Sequence, residues 1–292
     1  MTTDALPQEV TRTGSPPAIR LPWRRIRDFF VDAVLQVRVL RKGYAGVMHA
    51  LIFWGMTIQV LGTLVALLQI QLFVPFVELG WPTGGWYLAY ELIMDLAGVA
   101  ILLGVLLALF RRVVLRPRTL ESRWDDYYAI ALLLLIPLLG FTTEGLRILA
   151  TAPEWAAWSP VGNLTARLFG ALGVTPDGAW AVHGALFWAH MLAGLLLVAS
   201  IPFTKLRHLI TVPVNVVTRE LRRAGVLSLI ENIEEAEVLG ATQVTELAPR
   251  QLLALDACVR CGRCEEVCPA AIAGVNFSPR AFVQSLRAEM TG

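Results

Sequence analysis

The chain has 292 residues, of which 56% are hydrophobic and only 16% are charged, and its formal net charge is +2. Soluble domains carry about 25% charged residues. This composition, with a mean hydropathy of +0.60, therefore excludes an ordinary soluble enzyme and indicates a membrane protein. The small net charge, with basic residues beside apolar runs, gives no reason to expect a nucleic-acid partner.

The N-terminal segment divides into two parts. Residues 1–22 are polar, have the composition of a disordered tail, and lack the apolar core of a signal peptide, so we expect no cleaved leader. Residues 23–42 interleave basic with apolar side chains, a pattern that predicts an amphipathic helix on an anionic membrane surface. We therefore predict a cytoplasmic tail and surface helix over residues 1–42.

Four apolar runs, each long enough to cross a bilayer, follow this segment. They cover residues 46–70, 87–110, 127–150 and 180–204. Arginine and lysine are frequent after the second and fourth runs, whereas the loop between the first two runs contains neither. By the positive-inside rule, we expect both termini to be cytoplasmic. We assign this multi-pass protein to a prokaryotic plasma (inner) membrane. An aromatic belt at the opposite boundary comprises Trp81, Trp86, Trp155, Trp158 and Trp180.

Three of the four histidines lie in one apolar stretch, residues 180–213, which predicts a single long helix. These are His183, His190 and His208. His190 and His208 are 18 residues apart. Such a helix would separate them by about 27 Å and place them on the same face. One imidazole near each membrane surface suits two stacked haems; the alternative is a buried polar residue and an interfacial one.

His49, near the start of the first apolar run, is a partner for His208. Basic residues flank both histidines, so we expect both near the cytoplasmic face, at matching depth on different helices. Two imidazoles placed in this way are the axial ligands that one haem b requires. The sequence therefore predicts a haem b between His49 and His208.

Four ionisable residues fall in the outer half of the predicted bundle: Glu91, Asp95, Glu144 and Arg147. The first two are spaced i,i+4 and the last two i,i+3, so each pair shares a helix face. Charged groups within a bilayer are costly and usually functional, so we predict that these residues form a quinone and proton site. The alternative is that Glu144 and Arg147 form an interfacial ion pair that only anchors a helix end.

The four cysteines form one short run. Cys258, Cys261, Cys264 and Cys268, followed by Pro269, have the C-x2-C-x2-C-x3-C-P spacing of ferredoxin runs that bind [4Fe–4S] clusters. Zinc sites prefer separated cysteine pairs or mixed ligands, so the spacing favours iron–sulfur over zinc. Cysteines clustered in a reducing compartment also argue against a disulfide framework.

The membrane part resembles the cytochrome b subunits of the nitrate reductase gamma type, which include the membrane subunit of heterodisulfide reductase and its sulfite-reduction relatives. The resemblance is carried by His49, by His190, and by the sequence IPFTKLRH that ends at His208. It implies that His49 and His208 bind the cytoplasm-side haem. It implies an outer haem held by His190 and a histidine ten residues after His49, where this chain has Gln59. The sequence is therefore compatible with either one haem b or two. His183 is a candidate to replace the missing ligand of the outer haem.

The C-terminal part, from Gln251 through the cysteine run, resembles membrane-anchored iron–sulfur oxidoreductases of the heterodisulfide reductase type. In two-cluster ferredoxins, the fourth cysteine of a run ligates the other cluster. Cys268 is thus expected either to complete a local [4Fe–4S] cluster or to reach a second cluster. That second cluster would belong to a continuation of the chain or to a partner subunit with its own cysteine run.

Together these features predict an all-α membrane protein. A four-helix transmembrane haem b bundle would cover residues 43–213, a cytoplasmic linker 214–250, and a partial [4Fe–4S] ferredoxin-like domain 251–292. We predict an electron-transfer subunit of a respiratory oxidoreductase. It would link membrane quinone or quinol to a flavoprotein or to a cytoplasmic iron–sulfur partner of the heterodisulfide reductase catalytic-subunit type. The alternative is a non-haem membrane anchor or transporter-like bundle that docks a metal-binding tail.

Overall fold

The structure, a computed structural model, describes residues 23–69, 83–221 and 241–291, with the isolated residues 71 and 234. Four helices in this part of the chain are long and apolar enough to cross a membrane. The first to fourth spans are Tyr44–Leu68, Gly85–Phe110, Trp124–Thr151 and Pro176–Ala199. The described residues contain no β-strand. The prediction of an all-helical membrane protein with four spans is confirmed.

Shorter helices flank and connect the spans. They are Trp23–Asp28, Phe29–Val34 and Arg111–Leu115 (both in wider π-helical turns), Val37–Leu40, Pro160–Ala171, His208–Thr218, Pro249–Asp256, Arg263–Glu266, Pro269–Ile272 and Pro279–Thr291. Single 3-10 turns cover Glu154–Trp158, Ile201–Phe203, Lys205–Arg207 and Val244–Glu246. The predicted disordered tail and most of the predicted linker lie outside the described residues.

The second and third spans form the centre of the bundle, with the first span packed on the second and the fourth on the third. Ile101 and Val105 of the second span are the largest fully buried side chains in the described part of the chain. A methyl group on Gly104 would lie only 2.7 Å from Ile52, so this glycine lets the first two spans approach closely. Close approach through small residues is how helices pack in a membrane, where water does not drive them together.

The fourth span ends before Pro202, so the prediction of one continuous helix over residues 180–213 is wrong. Proline lacks the amide hydrogen that a helix needs, and it disfavours helical geometry at the preceding residue. The chain turns here, with the Thr204 side chain capping the next turn, and a separate helix begins at His208. The prediction that His190 and His208 share a face of one helix therefore fails.

The segment before the first span is bent, so the predicted single amphipathic helix over residues 23–42 is also wrong. Helical turns stop at Val34 and resume at Val37, because Gln36 takes a left-handed conformation with φ +54°. A non-glycine residue in this conformation is strained and is kept only where its surroundings fix it. Gln36 is buried, and its side chain contacts the first span.

The two ends of the bundle differ in composition. The basic end comprises residues 23–43, 111–123 and 204–221, and the cysteine-containing segment 241–291 packs against it. The opposite end, called the tryptophan end, carries Trp86, Trp155, Trp158 and Trp180. Trp81 of the predicted belt lies outside the described residues. That the basic end faces the cytoplasm stays a prediction.

Candidate metal centre

His49 and His208 lie next to each other at the basic end. His49 is in the second turn of the first span, His208 is the first residue of its own helix, and their ring centroids are 6.4 Å apart. When two imidazoles bind one metal ion, each nitrogen–metal bond is about 2 Å long and each ring centre lies about 1 Å from its ligating nitrogen. The two ring centroids are then about 6 Å apart. The separation of the two rings therefore suits one metal ion between two imidazoles.

A hydrogen bond at Nδ1 fixes each of the two rings. His49 Nδ1 is 2.9 Å from Gln36 Oε1, and His208 Nδ1 is 2.7 Å from the Lys205 carbonyl oxygen. Both partners are carbonyl oxygens that only accept, so each Nδ1 carries a proton and each Nε2 keeps its lone pair. Burial lowers the pKa of His208, which favours its neutral form. Histidines that bind metals are oriented in this way.

The chemistry of this pair fits a haem iron. Among the described residues, no third histidine, cysteine, aspartate or glutamate joins the pair to enclose a metal ion. Zinc sites usually take three or four protein ligands. A haem brings its own ring of nitrogens and needs from the protein only one or two axial ligands. His49 and His208 are therefore suited to hold a haem b through Nε2.

His190, the third predicted haem ligand, is also oriented for binding but has no imidazole partner. Its Nδ1 is 3.0 Å from the Ile136 carbonyl oxygen, and Gly140 leaves room beside its ring. Gln59, at the position where the family resemblance expects a histidine, donates its amide to the Met94 carbonyl oxygen at 2.8 Å. The Gln59 side chain is thus bound to the second span, and the described structure shows no hydrogen bond between it and His190.

His183 lies two turns nearer the tryptophan end than His190. Its ring stacks between its helical neighbours Trp180 and Phe187, with centroids 5.2 and 6.4 Å away and planes tilted by 9° and 17°. Such an aromatic stack is ordinary packing at a membrane boundary. The described residues bring no second histidine ring against His183, and its role as a substitute ligand stays a prediction.

Arg147 gathers the predicted charged residues at the tryptophan end. Its guanidinium binds both Glu144 oxygens, at 2.9 and 3.1 Å, and lies 3.6 Å from Glu91 of the second span. It also lies over the Trp155 ring, 4.6 Å from the centroid. One cation therefore joins two carboxylates from different spans beside an aromatic ring.

Asp95 is buried and binds a different partner, the N-terminus of the helix Pro160–Ala171. Its carboxylate accepts hydrogen bonds from Ser159 Oγ and the Gly162 amide, both at 3.0 Å, and from the Val161 amide at 3.2 Å. A carboxylate at this position satisfies free amides and is favoured by the helix dipole. Asp95 therefore joins the second span to this outer helix.

The cysteine run lies at the basic end, between the helices Pro249–Asp256 and Pro269–Ile272, and it includes the one-turn helix Arg263–Glu266. Cys258 and Cys268 are half-buried, Cys261 and Cys264 are exposed, and all four are free thiols. Partial desolvation raises the pKa of the Cys264 thiol, and the neighbouring Cys261 and Cys258 thiols raise it further. Four thiols at ferredoxin spacing fit an iron–sulfur cluster chemically. Within the described structure no three of them converge to enclose a metal, so cluster ligation stays a prediction.

Comparison with known proteins identifies the membrane part. Residues 35–224 match the family described as the nitrate reductase gamma subunit. The match covers more than half of the chain, with all four spans and both paired histidines. The chain belongs to the nitrate reductase gamma subunit family. No solved structure matches the chain.

Relatives of this gamma-family chain extend the similarity into the cysteine run. The chain is 34% identical over 278 residues to the EtfAB:quinone oxidoreductase of Syntrophomonas wolfei subsp. wolfei. It is 28% identical over 272 residues to the probable iron–sulfur-binding oxidoreductase FadF of Bacillus subtilis. Each match covers 91% of this chain but only 38% and 37% of the respective relative. A 74-residue stretch, 25% of this chain and 11% of the relative, is 40% identical to a probable membrane-anchored ferredoxin of Chromohalobacter salexigens.

These matches confirm the resemblance that the histidine and cysteine patterns carried. Gamma-family membership confirms the prediction of a membrane electron-transfer subunit of an oxidoreductase, and the relatives support iron–sulfur chemistry. The chain spans little more than a third of the lengths of its two long relatives. The number of haems, the cluster type, the quinone and the redox partner stay predictions.

Sequence reasoning missed the residues that hold both sites of this gamma-family chain in place. Gln36 orients His49, but a glutamine in a basic surface segment carries no signal of that role. Asp125 and Asp126 bind Arg260 of the cysteine run, although acidic residues in a first helical turn usually only complement the helix dipole.

Replacing Asp95 with alanine is expected to destabilise the protein, because Ser159 and two amides of the outer helix lose their acceptor. Loss of a helix cap costs about 0.5–2 kcal/mol. Asp95→Asn keeps one acceptor oxygen and should lose less. Thermal unfolding of the purified protein measures the order. The control is Asp177→Ala, which removes an exposed aspartate at the same end; equal losses in the two alanine variants would contradict the capping role.

Proposed function

We propose that this chain is the membrane electron-transfer part of a quinone-linked oxidoreductase. It would exchange electrons between the quinone pool and a cytoplasmic iron–sulfur or flavin partner. The observation that carries this proposal is the His49–His208 pair, in which both Nδ1 atoms are occupied and both Nε2 atoms are left for a metal. The pair lies at the same end as the cysteine run. A transporter-like anchor, the alternative function, gives no account of this pairing.

At the basic end, His49 and His208 would hold a haem b through their Nε2 atoms. Gln36 and Lys205 keep the two half-buried rings oriented. Haem b and a [4Fe–4S] cluster, when bound, supply one-electron chemistry. The chain itself contributes ligation, orientation and a low-dielectric surrounding, which are the means by which proteins set a haem's potential.

At the tryptophan end, Arg147 with Glu91 and Glu144 supports the proposal of a quinone site. Quinone oxygens accept hydrogen bonds and quinol hydroxyls donate them, and a guanidinium beside carboxylates offers both partners. Each two-electron conversion between quinol and quinone moves two protons, which Glu91, Glu144 and Asp95 would exchange. Asp95 also fixes the outer helix that covers this region. With the basic end in the cytoplasm, these protons would be exchanged on the outer side.

The cysteine run would carry electrons toward the partner. Cys258, Cys261 and Cys264 would hold three irons of a [4Fe–4S] cluster, and Cys268 would ligate the fourth iron or a second cluster. The relatives extend well beyond this chain, and their names include a quinone oxidoreductase and an iron–sulfur-binding oxidoreductase. We assign the electron partner to a continuation of the chain or to a separate subunit. It would be a flavoprotein or a protein of the heterodisulfide reductase catalytic type.

The proposed domain boundaries need one adjustment. We propose a surface segment up to residue 42, a membrane domain from residue 43, a linker, and a ferredoxin-like domain over residues 251–292. The helix His208–Thr218 runs through Pro213 without interruption. The boundary expected at residue 213 falls within this helix, so we propose that the membrane domain, expected over residues 43–213, extends to the end of the helix.

His49→Ala and His208→Ala are each expected to abolish a low-spin haem b spectrum, because each removes one of two axial ligands. The wild-type protein should show sharp α and Soret bands on reduction. Immunoblots of membranes show whether the variants are still inserted, and Leu209→Ala, which truncates an exposed side chain next to His208, is the control. A full wild-type spectrum in either ligand variant would show that the pair is wrong.

The ratio of haem to protein tests whether a second haem is bound at His190, nearer the tryptophan end. Because Gln59 is bound to the second span, we expect no more than one bis-histidine haem per chain, even if His190 holds a second haem with another partner. His190→Ala should leave the spectrum of the His49–His208 haem unchanged. Haem content and electron paramagnetic resonance of wild type and variant measure both points. Two bis-histidine haems per chain would contradict the expectation.

Residues 1–292, expressed alone and reconstituted anaerobically, are expected to hold an unstable or [3Fe–4S]-like cluster. The reason is that Cys268 would serve a second cluster carried by another segment or subunit. Iron and sulfide counts, repeated after addition of a second protein with its own cysteine run, measure the rescue. A stable [4Fe–4S] cluster that is lost in Cys268→Ser would show that the local run is self-sufficient.

A further inference from the structure

A buried ion pair joins the cysteine run to the third span. Arg260 lies between Cys258 and Cys261 in the sequence, yet only 7% of its surface is exposed. One of its guanidinium nitrogens is 2.6 and 2.8 Å from the two oxygens of Asp125. Arg260 also has a left-handed backbone with φ +57°, which strains a residue that has a Cβ. Strain of this kind persists where surrounding contacts fix the residue, and Asp125 provides such a contact.

Asp126, the next residue of the third span, is the centre of a larger network. It is 2% exposed. Its carboxylate accepts hydrogen bonds from Arg112 and from the Arg123 amide, both at 2.9 Å, binds the Lys205 ammonium, and lies 3.7 Å from Arg260. Four segments therefore meet at the Asp126 carboxylate: the turns that follow the second span, the start of the third span, the turn after the fourth span, and the cysteine run.

Lys205 connects this network to the histidine pair. Its ammonium binds Asp126, and its carbonyl oxygen accepts the Nδ1 hydrogen bond of His208 at 2.7 Å. Contacts therefore run without a gap from the His208 ring through Lys205 and Asp126 to Arg260 in the cysteine run. Both predicted cofactor sites are fixed to the same anchor.

We propose that Asp125 and Asp126 are positioning residues that fix the cysteine run relative to His208 and so set the distance between the iron–sulfur cluster and the haem. This inference rests on the proposed function, because it assigns both sites to one electron path. Replacing a buried ion pair by apolar side chains is often neutral or stabilising, so stability alone gives no reason for this network. A buried, hydrogen-bonded charge network instead specifies one arrangement of the segments that it joins.

Other ion pairs attach the C-terminal segment to the basic end, and they are more exposed. Lys42 binds Glu266, and Arg207 binds Asp256 at 2.8 Å, with side chains that are 22–38% exposed. Each such pair adds little, but they remain in place when the Arg260 contact is removed. Variants of the buried network therefore test the position of the cysteine run rather than the attachment of the whole segment.

The test compares Arg260→Gln and Asp125→Asn with Arg263→Gln in the full-length protein loaded with its cofactors. Arg263 is an exposed arginine of the same cysteine run. Among the described residues it donates only to the Arg38 carbonyl oxygen, at 3.3 Å, so its variant removes the same charge without touching the network. Arg260→Lys keeps the charge. Iron, sulfide and haem are counted first, so that rates are compared at equal cofactor content.

Two measurements report the position of the cysteine run. Hydrogen–deuterium exchange reports how firmly the backbone around Cys258 to Cys268 is held, and rapid mixing reports electron exchange between cluster and haem. Arg260→Gln and Asp125→Asn should lose amide protection and slow electron exchange by about tenfold, the lower end of the loss in activity when a group that orients a metal ligand is removed. Arg260→Lys should recover part of both, and Arg263→Gln should match wild type.

Wild-type protection and wild-type rates in both network variants would overturn the proposal, as would an equal loss in Arg263→Gln. If Arg260→Gln fails to assemble a cluster, the results for Asp125→Asn decide the proposal, because that variant leaves the amino-acid sequence of the cysteine run unchanged. A wild-type protein that shows no haem absorption would contradict the proposed function. Amide exchange would still decide whether the Asp125–Arg260 contact holds the run, so the two failures are distinguishable.

Discussion

The requirement that each buried charge find a partner organises the basic end around Asp126. A carboxylate buried this deeply is costly unless several donors surround it. Its partners come from the turns after the second span, the start of the third and the turn after the fourth, so the positions of these segments depend on one another. Asp125 beside it adds the cysteine run. Apolar contacts between spans resist sliding only weakly, and this polar anchor fixes their arrangement where both predicted cofactor sites lie.

The positions of the two ends constrain the electron path. The Arg147 group lies at the tryptophan end, whereas His49 and His208 lie at the basic end. Along the first span alone, the ten residues from His49 to Gln59 extend over about 15 Å. His190, with its Nδ1 already bonded, lies between the two ends. The quinone site proposed at the tryptophan end would therefore need a redox centre near His190 in addition to the haem proposed at the basic end.

The four spans and the cysteine run could be predicted because length, apolar composition and cysteine spacing are local properties of the sequence. The meeting of His49 and His208 followed from their matching depth, although the continuous helix assumed beyond the fourth span is broken by a proline. The Gln36–His49 and Asp125–Arg260 contacts could not be predicted. The second pair is 135 residues apart in sequence, and nothing local distinguishes an aspartate that binds a distant arginine from one that only faces solvent.

The anchor also carries a charge imbalance. Arg112, Lys205 and Arg260 supply three cations to two carboxylates, so one positive charge remains in a largely buried network beside the cysteine run. Leaving a buried charge uncompensated is unfavourable, and an iron–sulfur cluster with thiolate ligands is an anion that would complete the balance. Cluster binding and docking of the run should therefore stabilise each other, since coupling between two binding events is reciprocal.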